Sequence, residues 1–310
     1  MDESVQTDPR LEKAERIFPD GDCYLTEEES AMVEQVQQLF PKVAVVMNVG
    51  GMVDTDWFAE NEKIQAVLMA WQGGMEGGNA AAELLCGVGS PSGKLSDTFA
   101  KKLEDYPSSE TFHESVKYVD YKEDIYVGYR YFETIPGADK AVNYPFGYGL
   151  SYTTFERALV SAEEKQGVIR VRVNVTNTGK YPGKEVMQLY AQAPQGVLGK
   201  AKRVLAAFEK TRLLAQGETQ LLTLEAPVAQ LASYDDLGKI QKSAYVLEKG
   251  KYQFYLGTSV RETEQVFCFT MPEDTVTEQL TAKLVPTSLA ERMLSDGSFE
   301  KLPQSEPNDP

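Results

Sequence analysis

Apolar and polar positions change period twice along the chain. Met32, Val33, Val36, Leu39 and Phe40 recur at helical spacing and predict a helix with one apolar face. Thr26 followed by Glu29 makes a capping box at its start, and Pro41 stops it. Val43–Met47 is a short β-branched run that reads as a buried strand. A loop with Gly50 and Gly51, a short polar helix around Trp57 and a second strand over Ile64–Trp71 follow. Gly73, Gly74, Gly77 and Gly78 then turn the chain into an Ala-rich helix over Asn79–Cys86. Such alternation predicts a parallel sheet covered by helices. The unit is entered by a helix, as if a strand before it were missing.

After Tyr152 the period becomes two. Val168–Val175 alternates Val and Ile with Arg and Asn, which marks a strand with one wet face. Glu185–Gln192, Arg203–Lys210, Thr219–Leu224 and Lys251–Leu256 are further strands, separated by Gly217-Glu218, Asp235-Asp236 and Lys249-Gly250. Short strands punctuated in this way predict an immunoglobulin-like β-sandwich. From Pro272 onward the chain is polar, with one short helical stretch at Leu289–Leu294. The expected organisation is a disordered or severed edge over 1–23, an α/β domain over 24–155, a β-sandwich over 156–271 and a linker or tail over 272–310.

Composition narrows the chemistry. A net charge of −16 over 310 residues disfavours nucleic acid and anionic membrane, because phosphate binding needs clustered Lys and Arg. There is no apolar run of membrane-spanning length and no secretory signal over Met1–Arg10, so a cytoplasmic location is expected. Cys23, Cys86 and Cys268 are read as reduced, mostly buried thiols. His113 is the only histidine. A zinc or haem site and a histidine-based triad are therefore not expected, and no cofactor is. The glycine cluster Gly73–Gly78 does not fit G-x-G-x-x-G, since Met75 stands at the second glycine. Its glycines are read as permitting close helix–strand approach.

Four segments in fixed order are more specific. They are Ala70-Trp71-Gln72-Gly73-Gly74-Met75-Glu76-Gly77-Gly78-Asn79-Ala80, Pro91-Ser92-Gly93-Lys94-Leu95, Tyr126-Val127-Gly128-Tyr129-Arg130-Tyr131-Phe132 and Phe146-Gly147-Tyr148-Gly149-Leu150-Ser151-Tyr152-Thr153. The series resembles the carboxyl-side α/β sandwich domain of glycoside hydrolase family 3. Val173–Gly179, with Gly183-Lys184-Glu185-Val186 after it, resembles the fibronectin type III-like domain that follows in many members. Arg292–Gly297, after Leu284-Val285-Pro286-Thr287, resembles the connector that precedes the barrel in permuted members.

The resemblance implies a retaining β-glycosidase, most often a β-glucosidase. Such chemistry needs a nucleophile and an acid/base about 5–5.5 Å apart. In this family the nucleophile is an aspartate on a separate (β/α)8 barrel, and the acid/base a glutamate upstream of the helix beginning at Thr26. No catalytic residue is assigned to this chain. Thr55-Asp56-Trp57 imitates the nucleophile's setting, but Asp56 is read as a decoy in the first turn of a helix capped by Thr55. Glu12 and Glu15 lack the acid/base motif and read as solvated. Tyr118, Tyr121, Tyr126, Tyr129 and Tyr131 are read as packing rather than as a sugar platform. Arg130 is expected to pair with Asp124 or Glu76. The sequon Asn174-Val175-Thr176 falls mid-strand and is given no role. The rival reading is a non-catalytic carbohydrate-binding or scaffolding module, or one half of a split enzyme.

Overall fold

The computed structural model describes residues 21–112, 115, 117–283 and 288–304. Glu12, Glu15, His113 and residues 284–287 lie outside them. The first element among the described residues is helix α1 (Glu27–Leu39), whose capping box is formed on both sides. Thr26 accepts from the Glu29 N–H, and the Glu29 carboxylate accepts from the Thr26 N–H at 2.9 Å. Strand β1 (Val43–Met47), the single-turn helix α2 (Asp56–Ala59), strand β2 (Ile64–Met69) and helix α3 (Gly77–Leu85) follow as expected. β1 and β2 pair in parallel, Ala44 with Ala66 through Met47 with Met69.

Burial here departs from the pattern. Among the described residues the sheet containing β1 has only two strands, so it offers little surface to cover. Of β1 only Met47 is buried, and Val46 is exposed. No residue of α1 is buried, and Met32, Leu39 and Phe40 are each more than half exposed. The rest of the α/β region is largely loops. They carry strands β3 (Phe99–Ala100) and β4 (Val142–Tyr144), paired antiparallel, and the short helix α4 (Tyr129–Phe132). Phe99, Tyr126 and Phe132 form its buried points.

The second unit is a β-sandwich. One sheet holds β5 (Phe155–Lys165), β6 (Val168–Asn177) and β9 (Thr219–Pro227) in the order 5-6-9. The facing sheet holds β7 (Val186–Gln192), β8 (Val204–Lys210), β12 (Gly250–Gly257) and β13 (Thr263–Met271) in the order 13-12-7-8. Alternation on β6 places Ile169, Val171, Val173 and Val175 in the core. They pack with Met187, Leu189, Leu222, Leu224, Tyr252, Phe254 and Leu256. Fully burying a side chain of this size contributes about 1.5–3 kcal/mol, which makes this core the anchor of the chain. β7 breaks the alternation and is buried on both faces. Its outer face, Gln188 and Tyr190, is covered by the α/β domain.

Two expectations for the end of the chain are corrected. β14 (Thr275–Gln279) pairs with β11 (Ala244–Leu247), itself beside β10 (Ser233–Asp235), so ordered sheet continues past Pro272. Leu289–Leu294 is not helical. It contains β15 (Glu291–Met293), which forms a hairpin with β16 (Phe299–Lys301), because the Met293 N–H bonds to the Lys122 carbonyl at 2.7 Å instead of closing a helical turn.

Candidate functional site

In a parallel sheet the carboxyl ends of the strands are where ligands ordinarily bind. Here these ends carry the loops over 48–55 and 70–76, which touch. A Cβ on Gly50 would lie 2.7 Å from the Gln72 side-chain amide. Trp71 holds a left-handed φ of 51°, a conformation costly for a bulky residue, with its ring 6.2 Å from Phe99. The glycines that follow close a tight turn. A Cβ on Gly73 would meet the Gly77 Cα at 2.7 Å, and Gly74 has φ +63°. The close approach is thus between the loop and the first residue of α3. The Glu76 carboxylate accepts from the Asn79 amide at 2.6 Å.

Asp56 stands in the first turn of α2, and its carboxylate accepts a 2.8 Å bond from the Asn143 amide of β4. Thr55 is buried, and its hydroxyl also accepts from Asn143, at 3.0 Å. Thr55 is therefore not the capping side chain expected. Asp54 takes that role, accepting from the Asp56 N–H at 3.0 Å. Thr55 and Asp56, through Asn143, tie α2 to β4.

The three later motif segments converge on the boundary with the β-sandwich. Lys94 forms a largely buried ion pair with Glu185 at 3.0 Å and donates to the Gly149 carbonyl at 2.9 Å. Gly149 cannot carry a side chain, since its Cβ would lie 2.3 Å from the Gly93 carbonyl oxygen. Lys210, from β8, donates to the Ser92 carbonyl. Tyr129 stacks on Phe146 with centroids 4.3 Å apart, and both meet the Tyr190 ring edge-on at 6.4 Å. The Tyr129 hydroxyl accepts from the Leu205 N–H, and the Phe146 carbonyl accepts from Val260. Gln188 donates to the carbonyls of Gly147 and Thr258. Burial pushes the Tyr190 phenol well above its ordinary value, so it stays a neutral donor to the Gln188 carbonyl oxygen.

The tyrosine run accordingly divides. Tyr126 is buried and Tyr129 packs at the domain boundary, while Tyr118 and Tyr121 are more than half exposed. The expected partners of Arg130 are engaged elsewhere: Asp124 faces Arg292 at 3.7 Å, and Glu76 holds Asn79. The three thiols are free, but Cys86 and Cys268 are exposed rather than buried. Asn174, of the sequon, lies within the central strand β6. Among the described residues no group of three or more His, Cys, Asp or Glu side chains is arranged to hold a metal ion, and no helix is long and apolar enough to cross a membrane. An open groove of about 670 Å³ lies between β8 and β9, lined by Leu205, Phe208, Thr223 and Glu225 among others. It includes none of the motif segments.

Sequence reasoning missed the boundary role of these motifs. The signal was present in their composition: repeated glycines beside aromatic residues, where backbone must approach side chains closely.

Comparison with known proteins matches this two-part architecture. Residues 5–152 match the glycosyl hydrolase family 3 C-terminal domain, and residues 185–260 the fibronectin type III-like domain. Beta-glucosidase A of Butyrivibrio fibrisolvens is 56% identical over 96% of this chain, and a beta-glucosidase of Ruminococcus albus is 44% identical over 92%. The chain spans only 38% and 30% of the length of those relatives. Among solved structures, a beta-glucosidase from Paenibacillus barengoltzii superposes with a TM-score of 0.86 at 46% identity, covering 91% of this chain and 33% of that one. Beta-glucosidase 3B from Thermotoga neapolitana, in complex with glucose, gives 0.74 at 38% identity over 83% of this chain and 35% of that one. With both matches falling in order on the two folded units, the chain belongs to glycoside hydrolase family 3, of which it carries the carboxyl-side α/β domain and the fibronectin type III-like domain.

Proposed function

We propose that this chain is the carboxyl-side platform of a retaining β-glycosidase, a β-glucosidase-like enzyme that hydrolyses terminal β-linked glucose or a related sugar. The nucleophile belongs to a (β/α)8 barrel outside these 310 residues. In double displacement a glutamate protonates the leaving oxygen and later activates water, while an aspartate forms the glycosyl-enzyme. One observation carries the reading. Three of the family's four motif segments are consumed in joining two domains, through Lys94, Gly147, Gly149 and Tyr129, so they build a platform rather than a reacting centre. Asp56 fits the same view, since its carboxylate serves a structural bond to Asn143. The apolar face of α1, left exposed, suits burial against the remainder of the parent. The three free thiols suit a reducing, cytoplasmic compartment.

The test is complementation. A separately produced family 3 barrel, mixed with this chain, gains turnover of a β-glucoside that neither has alone. A barrel fully active by itself and unaffected by the chain refutes the platform role. Retention of an oligosaccharide by the chain alone in affinity electrophoresis favours the rival reading, a non-catalytic binding module.

A further inference from the structure

Three stretches distant in sequence meet at Arg292. Its guanidinium donates to both oxygens of Asp236 at 2.9 and 3.0 Å and to Glu300 at 2.8 Å, with Asp124 3.7 Å away. Lys239 closes the cluster on Glu300 at 2.9 Å. Asp124 belongs to the α/β domain, Asp236 and Lys239 to the turn after β10, and Arg292 and Glu300 to the last hairpin. A two-stranded hairpin is marginal in water by its own ladder, so β15–β16 needs these contacts to persist. It makes others to the same loop. The Met293 N–H bonds to the Lys122 carbonyl, and the Gly297 backbone rests near Ile135.

The carboxylates gain from the cluster too. Asp124 is held at a left-handed φ of 50°, close enough to Asp236 and Glu300 for mutual repulsion to be felt. Without Arg292, three carboxylates would face one another across a domain boundary with Lys239 as the nearest compensating charge. Arginine suits the position because one guanidinium nitrogen, Nη1, reaches both oxygens of Asp236 while a second, Nε, reaches Glu300.

We propose that residues 288–302 act as an electrostatic clasp, whose Arg292 neutralises Asp124 and Asp236 and so fixes the α/β loop over 117–127 against the sandwich turn over 235–241. The clasp is independent of the glycosidase reading, because it concerns only how this chain holds itself together. It explains why a polar segment that reads as a linker is folded back onto both domains. It also fixes the loop that presents Tyr118 and Tyr121 to solvent.

Hydrogen exchange on the full 310-residue chain tests it. Arg292→Gln is expected to raise amide exchange roughly ten-fold or more in both 118–126 and 236–241, while 169–175 in the core stays protected. Arg292→Lys keeps the charge but loses the fork and falls between. Arg212→Gln, which breaks the exposed pair with Glu218, serves as the control and changes neither segment. Should Arg292→Gln fail to fold, adding Asp124→Asn and Asp236→Asn removes the stranded charges and must restore folding. The clasp is refuted if only the hairpin loses protection, or if the added substitutions restore nothing.

Discussion

The side-chain amide of Gln188, on β7, occupies the space where a side chain at Gly147 would be. It donates to the Gly147 carbonyl at 3.2 Å and to the Thr258 carbonyl at 2.6 Å. A Cβ on Gly147 would come within 2.2 Å of the Gln188 carbonyl oxygen, at a φ of +80° that L side chains rarely adopt. Gly147→Ala therefore combines backbone strain with overpacking. It should cost about 2–4 kcal/mol in urea unfolding, beyond the usual cost of either effect alone. A loss below about 0.5 kcal/mol, the level of an ordinary surface change, would show that the boundary is loose.

Lys200 and Glu248 test buried charge. Their charged ends are 3.8 Å apart with both side chains almost fully buried. One Glu248 oxygen accepts the Val197 and Leu198 N–H groups, while the other has no hydrogen-bond partner. Burial pulls the Lys200 ammonium below its ordinary value, against the pull of Glu248. Lys200→Met strands the carboxylate and is expected to cost about 3–5 kcal/mol. Adding Glu248→Gln, which removes the charge but keeps an acceptor for the Val197 and Leu198 N–H groups, should return much of that loss, measured by the same unfolding curves. A double variant worse than the single one by the full cost of the second change would contradict this.

Asp235 sets an acid limit. Burial works to raise its carboxyl, but four backbone N–H groups outweigh burial and hold it below the ordinary carboxylate value. Gly238 and Lys239 donate to one oxygen, Ile240 and Gln241 to the other. Because the folded-state value is lowered, its stabilisation is complete above the unfolded value of about 4 and is lost as pH falls from there through the folded value. Asp235→Asn should be less stable at pH 7 by about 1–3 kcal/mol and show a flatter decline in acid. Parallel pH profiles of the two proteins would contradict the assignment.

Much of this molecule was readable in advance, for physical reasons that also explain the failures. The Thr26–Glu29 box and the alternation of β6 are local signals, and both are realised. β5 was missed because Phe155–Lys165 carries Glu163-Glu164-Lys165 on an outer strand with little burial. The helical spacing near Leu289 lost to a tertiary bond, Met293 to Lys122. The apolar stripe of α1 was read correctly as a stripe, yet Leu39 and Phe40 remain exposed because stripes report what a helix can bury, not what is present to cover it. Pairings such as Lys94 with Glu185, or Arg292 with Asp236, depend on two domains meeting, and no window of sequence contains both partners.

The most direct measurement is turnover of a chromogenic β-glucoside by the purified chain, run beside its Asp56→Ala variant. On the proposed reading both match a buffer blank, because the nucleophile that forms the covalent intermediate would be the barrel's aspartate. Release of chromophore by the chain, abolished by Asp56→Ala, would place the nucleophile here and contradict the platform reading.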